Sequence, residues 1–100
     1  MKIPKTIKLA GKTIDIVIDS KEAAKQCVNG VCYNDHDLIL LDNPKKSGIS
    51  KQNQEQTLIH EVVHKCNNIL SRNDCNAEDY VNPLSELLYQ AFQQLENGNR

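Results

Sequence analysis

The chain reads as an α+β domain, a small antiparallel sheet of about four short strands in the N-terminal half packed on two C-terminal helices. Three observations predict this. Up to about residue 41, β-branched and other apolar residues recur at period two or in short runs bounded by turn residues. From Ser50 onward the apolar spacing changes to i, i+3, i+4, i+7, the stripe of an amphipathic helix. The 100 residues contain no repeat, low-complexity tract or linker, so the length allows one domain with one modest core and one site. Strands followed by helices place the helices on one face of an antiparallel sheet.

The first hairpin spans roughly residues 5–9 and 13–18, with Ala10-Gly11 as the turn and Ile14, Ile16 and Ile18 alternating with Asp15, Val17 and Asp19. Asp19 or Ser20 caps a short helix through Gln26, and Glu22 supplies the capping-box acid if Asp19 is the cap. Asn29-Gly30 signals a turn. Val31-Cys32-Tyr33 and Leu38-Ile39-Leu40-Leu41 then flank the polar Asn34–Asp37 as a second hairpin. Asn43 to Gly48 reads as a loop. Ser50 caps a helix to about Leu70 that buries Ile59, Val62, Val63, Cys66, Ile69 and Leu70. Ser71–Asp74 breaks it. The last helix covers roughly 77–96 with Val81, Leu84, Leu87, Leu88, Ala91, Phe92 and Leu95 inward; Pro83 implies a kink, or a restart with Asn82 as cap.

Composition narrows the function classes. Hydrophobic residues make up 39%, charged residues 25%, and the formal charge is −1, ordinary values for a globular chain. The lysines are scattered, and Lys2, Lys5, Lys8 and Lys12 alternate with apolar residues as the solvated face of a strand, so no nucleic acid is expected as partner. The N-terminus lacks the apolar core of a signal peptide, and Leu38–Leu41, the longest aliphatic run, is too short to span a membrane. A cytoplasmic location is the expectation. There, Cys27, Cys32, Cys66 and Cys75 stay reduced, and their spacings fit no zinc ribbon; they read as small buried hydrophobes.

His60-Glu61-Val62-Val63-His64 is an H-E-x-x-H motif in the middle of the predicted amphipathic helix. Residues four apart lie about 40° from each other around a helix and one turn along it, so both imidazoles converge on one ion. Two His plus a third protein ligand make a zinc site with its fourth position left to water. Glu61 leans toward that water without being a ligand and can take its proton. The third ligand falls to Glu78, which opens the last helix just beyond a short polar connection; Cys75, as a thiolate, and the adjacent Asp79 are rivals. His36, in the hairpin tip, reads as solvated.

At His60–His64 followed by Glu78 the chain resembles the gluzincins, the H-E-x-x-H…E zinc peptidases. Its whole length is similar to the small phage- and prophage-encoded metallopeptidases of the ImmA/IrrE-like kind and, in compactness, to the minigluzincins. The resemblance runs from KIPKTIKLAGKTI through GVCYNDHDLILLD and TLIHEVVH to EDYVNPLSELLYQAF. It implies zinc bound by His60, His64 and Glu78, Glu61 as catalytic base, and a strand above the cleft holding an extended peptide, the role of Leu38, Ile39, Leu40 and Leu41 here. Thermolysin-like gluzincins carry an Asp four residues after the Glu to orient a ligand His; Asn82 occupies that position and offers an uncharged amide oxygen. The expected function is therefore zinc-dependent hydrolysis of a peptide or protein substrate. The competing expectation is a catalytically silent zinc-binding regulatory or protein-interaction module.

Overall fold

In the computed structural model, which describes residues 2–98, the order is four strands interrupted and followed by helices. Strand β1 (Thr6–Leu9) and strand β2 (Lys12–Ile18) form the first hairpin, with Ile7 opposite Ile14. Ala10 and Gly11 at its tip have φ of 52° and 77°, the two positive values that a twist-matched two-residue turn requires. Helix α1 (Ser20–Lys25) starts on Asp19, whose carboxylate accepts from the Glu22 N–H at 3.1 Å. The expected capping box does not close. The Asp19 N–H donates to the Leu41 carbonyl, and Glu22 instead accepts from the Gln26 amide.

Strands β3 (Gly30–Tyr33) and β4 (Leu38–Leu41) form the second hairpin, with Gly30 opposite Leu41. The segment read as a loop after β4 contains one turn of helix, α2 (Pro44–Ser47). Its signals were present: Asn43 accepts from the Lys45 N–H, Pro44 stands at the first helical position, and Gly48 closes it at φ 84°. Helix α3 (Lys51–Ile69) begins on Ser50, whose hydroxyl accepts from the Asn53 N–H at 3.0 Å. A 3₁₀ turn (Asn73–Cys75) leads to α4 (Glu78–Asn97). That helix does not restart at Asn82. It runs through Pro83, which sits in its second turn and removes only the donor for the Asp79 carbonyl.

The sheet order is β1-β2-β4-β3, and the central pair is parallel, with Ile16 beside Ile39. This departs from the all-antiparallel expectation. After β2 the chain turns through α1 and comes back as β3 one strand-width away; β4 then returns into the gap, parallel to β2. The run Leu-Ile-Leu-Leu suits that interior position because it is apolar toward both faces. Ile39, Leu40 and Leu41 are all buried. The expectation that Leu38–Leu41 holds a peptide by strand pairing is thereby corrected. Both edges of β4 are occupied by β2 and β3, and the open edges belong to β1 and β3.

Ile14, Ile16, Ile39 and Leu41 from the sheet and Leu58 from α3 form the core. Beside Leu58, α3 also buries Gln54, Glu55, Glu61 and Lys65. The cysteines are not the buried hydrophobes expected: Cys27 is exposed, and the other three are half-buried free thiols. Leu70, expected inward, is exposed, as are Leu87, Phe92 and Leu95 on α4. The line α4 buries is Val81, Ser85 and Tyr89, which runs at four-residue spacing along one side of its apolar arc. No helix among the described residues is long and apolar enough to cross a membrane.

Candidate metal centre

Helix α3 carries His60 and His64 on the side turned to α4, and the connection after α3 returns the chain so that α4 begins beside them. The two Nε2 atoms are 3.2 Å apart, with ring centroids at 4.8 Å and the planes inclined by 66°. Glu78, in the first turn of α4, bridges them: Oε2 lies 3.1 Å from His60 Nε2 and Oε1 lies 2.8 Å from His64 Nε2. Among the described residues, these three form the one group of His, Cys, Asp and Glu side chains whose ligating atoms converge tightly enough for a metal ion. Separations of 2.8–3.2 Å are close to the edge of a ligand tetrahedron around zinc, about 3.3 Å for bonds of about 2.0–2.1 Å. Cys75 and Asp79 do not join the group. One residue beyond Glu78, Asp79 is turned about 100° around the helix.

The far sides of the rings test whether a cation fits. His64 Nδ1 lies 3.1 Å from Asn76 Oδ1, and the Asn67 amide donates to that same oxygen at 2.9 Å. An oxygen that already accepts from Asn67 is placed to accept from His64 as well, an arrangement that favours the tautomer with the His64 proton on Nδ1. His60 Nδ1 makes a long 3.5 Å contact with Ser85 Oγ, whose own hydrogen goes to the Asn82 carbonyl at 3.0 Å. Both imidazoles thus turn bare Nε2 lone pairs toward each other and toward a carboxylate. Lone pairs gathered at that distance repel unless a proton or a metal cation lies between them. The donor set fits a metal cation.

These supports correct the expected role of Asn82. Its side chain is exposed on the cleft wall, and its carbonyl, not its amide, joins the network through Ser85. Four residues from Glu78 is one turn along on the solvent side; seven residues on, Ser85 returns to face α3. Sequence reasoning missed Ser85, Asn76 and Asn67. The signal for Asn76 was its place two residues before Glu78 in a polar connection, which by itself does not single it out.

Glu61 points from α3 to the other neighbour, the sheet. It is buried, and the Cys32 main-chain N–H donates to its carboxylate. Asp42 N pairs with Asn29 O, so with alternation along the register Gly30 and Cys32 turn their main-chain groups to the open edge of β3. Burial pushes the Glu61 carboxyl above its usual range and Glu78 adds to the rise; His60, His64 and the Cys32 N–H pull the other way. Lys65, one turn further on and 2% exposed, donates to the Tyr33 and His36 carbonyls at 3.2 and 2.9 Å. Gln54 donates to the Asp42 carbonyl at 3.0 Å. Three polar side chains of α3 therefore fasten the second hairpin by its backbone and hold β3 along the helix.

Two shallow recesses of about 310 and 480 Å³ flank the site, and Gly30, His60 and Glu61 line both. The cleft thus runs along the β3 edge across the imidazole pair. His36 is exposed, as expected, with its ring 6.4 Å from that of Tyr33. Tyr80 is also exposed and lines neither recess. Set against family models, curated proteins and solved structures, the chain matches none of them.

Proposed function

We propose that the protein is a zinc-dependent peptidase of the gluzincin type, with His60, His64 and Glu78 as ligands and Glu61 as general base. The observation that carries this reading is the convergence of two imidazole Nε2 atoms and one carboxylate, with a second, non-converging carboxylate on the residue beside His60. That second carboxylate also braces β3 through the Cys32 N–H, and its place on the residue beside His60 is what the peptidase reading uses. When bound, zinc supplies Lewis acidity to the scissile carbonyl and to the attacking water. Glu61 takes the proton of that water and passes it to the leaving amine. Its burial, which raises its proton affinity, suits a carboxylate that must hold a proton briefly. The β3 edge offers the Gly30 main-chain groups and the Cys32 carbonyl to an extended peptide, so β3 takes the part expected of Leu38–Leu41.

Two measurements on the purified protein test the proposal. Metal analysis should find about one zinc per chain. Glu61→Gln, which preserves shape and removes the base, should keep the zinc and lose about 10²–10⁴-fold in peptide-bond cleavage of unfolded protein substrates. Equal cleavage by wild type and Glu61→Gln removes Glu61 from the mechanism. Zinc retained by a wild type that cleaves nothing supports the silent binding module instead.

A further inference from the structure

Asn67 lines neither recess of the cleft, yet its amide donates to two residues in the connection that delivers Glu78. Its Nδ2 donates to the Cys75 carbonyl at 2.9 Å and to Asn76 Oδ1 at 2.9 Å. Asn76 Oδ1 in turn faces His64 Nδ1 at 3.1 Å. Asn67 lies on α3 one turn beyond His64, and Asn76 lies two residues before Glu78.

The geometry points to Asn67 as a positioning residue that, by fixing which end of the Asn76 amide faces His64, dictates which His64 nitrogen is free to bind the metal. This inference rests on the proposed zinc site. A primary amide presents oxygen or NH₂ with almost the same shape, and only its neighbours choose between them. Here Asn67 makes the choice. Its NH₂ demands the oxygen of Asn76, that oxygen demands an N–H from His64, and the proton so held on Nδ1 leaves Nε2 bare beside Glu78. With the Asn76 amide reversed, its NH₂ would face Nδ1 as a donor. The proton would move to Nε2 and block the ligand position. The same Asn67 amide pins the 3₁₀ turn through Cys75, so one side chain governs both the tautomer of the second ligand and the approach of the third.

The experiment compares zinc binding, by competition of zinc ion with a chromogenic chelator, and metal-free imidazole tautomers, by long-range ¹H–¹⁵N NMR. Wild type should show the Nδ1–H form at His64. Asn67→Ala and the isosteric Asn67→Asp should move His64 toward the Nε2–H form and weaken zinc binding about 10–100-fold, the usual worth of such an outer partner. His60, held through Ser85, should keep its tautomer as an internal control. In Asn67→Ala/Asn76→Asp the carboxylate has no wrong end, so the Nδ1–H form and most of the zinc affinity should return. A loop brace alone would not be rescued by a change at position 76. Unchanged tautomer and affinity in both single variants overturn the inference, and so does a loss that Asn76→Asp leaves unrepaired. A wild type that takes up no zinc sinks the metal reading alone, since the tautomer shift is read without metal.

Discussion

Glu61 and Glu78 are both carboxylates beside the same two imidazoles, and their surroundings divide their tasks. Glu78 has a side chain 60% exposed and grips both Nε2 atoms; Glu61 is buried and held by a main-chain N–H of β3. His60→Ala or His64→Ala should therefore abolish tight zinc binding, while Glu78→Ala should weaken it and leave residual affinity, because water can take an exposed position. Zinc held by Glu78→Ala as tightly as by wild type, in the same chelator competition, would refute Glu78 as ligand. Tyr89 shows how burial acts elsewhere. Desolvation, with the 2.8 Å hydrogen bond it donates to Glu55 second, pushes its hydroxyl up to about 12. A folded-state value above the unfolded value of about 10 keeps its stabilisation intact below pH 10 and loses it as pH rises toward 12. Denaturant titrations from pH 9 to 12 should show a fall in stability that is shallower in Tyr89→Phe; identical slopes would contradict the assignment. The Cys32 thiol, raised by burial to about 11 against the pull of Lys65, should resist alkylation at pH 8, while exposed Cys27 reacts first.

Among the elements, α3 and α4 carry the proposed ligands and β3 lies along α3, packed tightly against it at Gly30. A Cβ on Gly30 would meet Thr57 Cγ2 at 2.5 Å, with the Leu40 carbonyl at 3.1 Å. Gly30→Ala should destabilise the fold by about 1–3 kcal/mol in denaturant unfolding. Adding Thr57→Ser, which removes the colliding methyl and keeps the hydroxyl bonded to the Asn53 carbonyl, should recover part of that loss. No recovery would mean that the backbone contact dominates. The elements were largely legible because their punctuation is local: Asp19 and Ser50 cap as expected, and Ala10-Gly11 turns the first hairpin. What the sequence hid was pairing and facing. Nothing in Leu38–Leu41 distinguishes an edge from an interior strand, and the deciding fact is the path of β3 around it. Apolar periodicity also misplaced the buried side of α4, since the contact with α3 runs through Val81, Ser85 and Tyr89 and leaves Leu87 and Leu95 63% and 72% exposed. On α3 it overlooked Gln54, Glu61 and Lys65, polar residues buried because backbone groups of the second hairpin and of Asp42 just after it receive them. His60, Glu61, His64 and Glu78 were readable because ligand chemistry prescribes their types and spacing. Ser85, Asn76 and Asn67 were not, because many residue types can support an imidazole.

At the scale of the molecule, α3 is the middle layer, with the sheet on one side and α4 on the other. Zinc would clamp the second of these contacts. With free zinc at 100 times its Kd, mass action adds about 2.7 kcal/mol to folding stability. A strong chelator should accordingly lower the thermal midpoint by about 10–20 °C, given roughly 4–8 °C per kcal/mol at this size. A midpoint that does not move while zinc demonstrably leaves would show that α3 and α4 pack without the ion. The three proposed ligands also lie close in the chain, His64 and Glu78 only 14 positions apart, whereas β2 must find β4 across the whole of α1 and β3. Closing the shorter loop sacrifices less chain entropy, so the helical hairpin with its ligands is the portion favoured to assemble early, ahead of the mixed sheet. A metal bound at that stage would act as a nucleus for the C-terminal half, and the strands would then condense onto a helix whose ligand-bearing side is already committed.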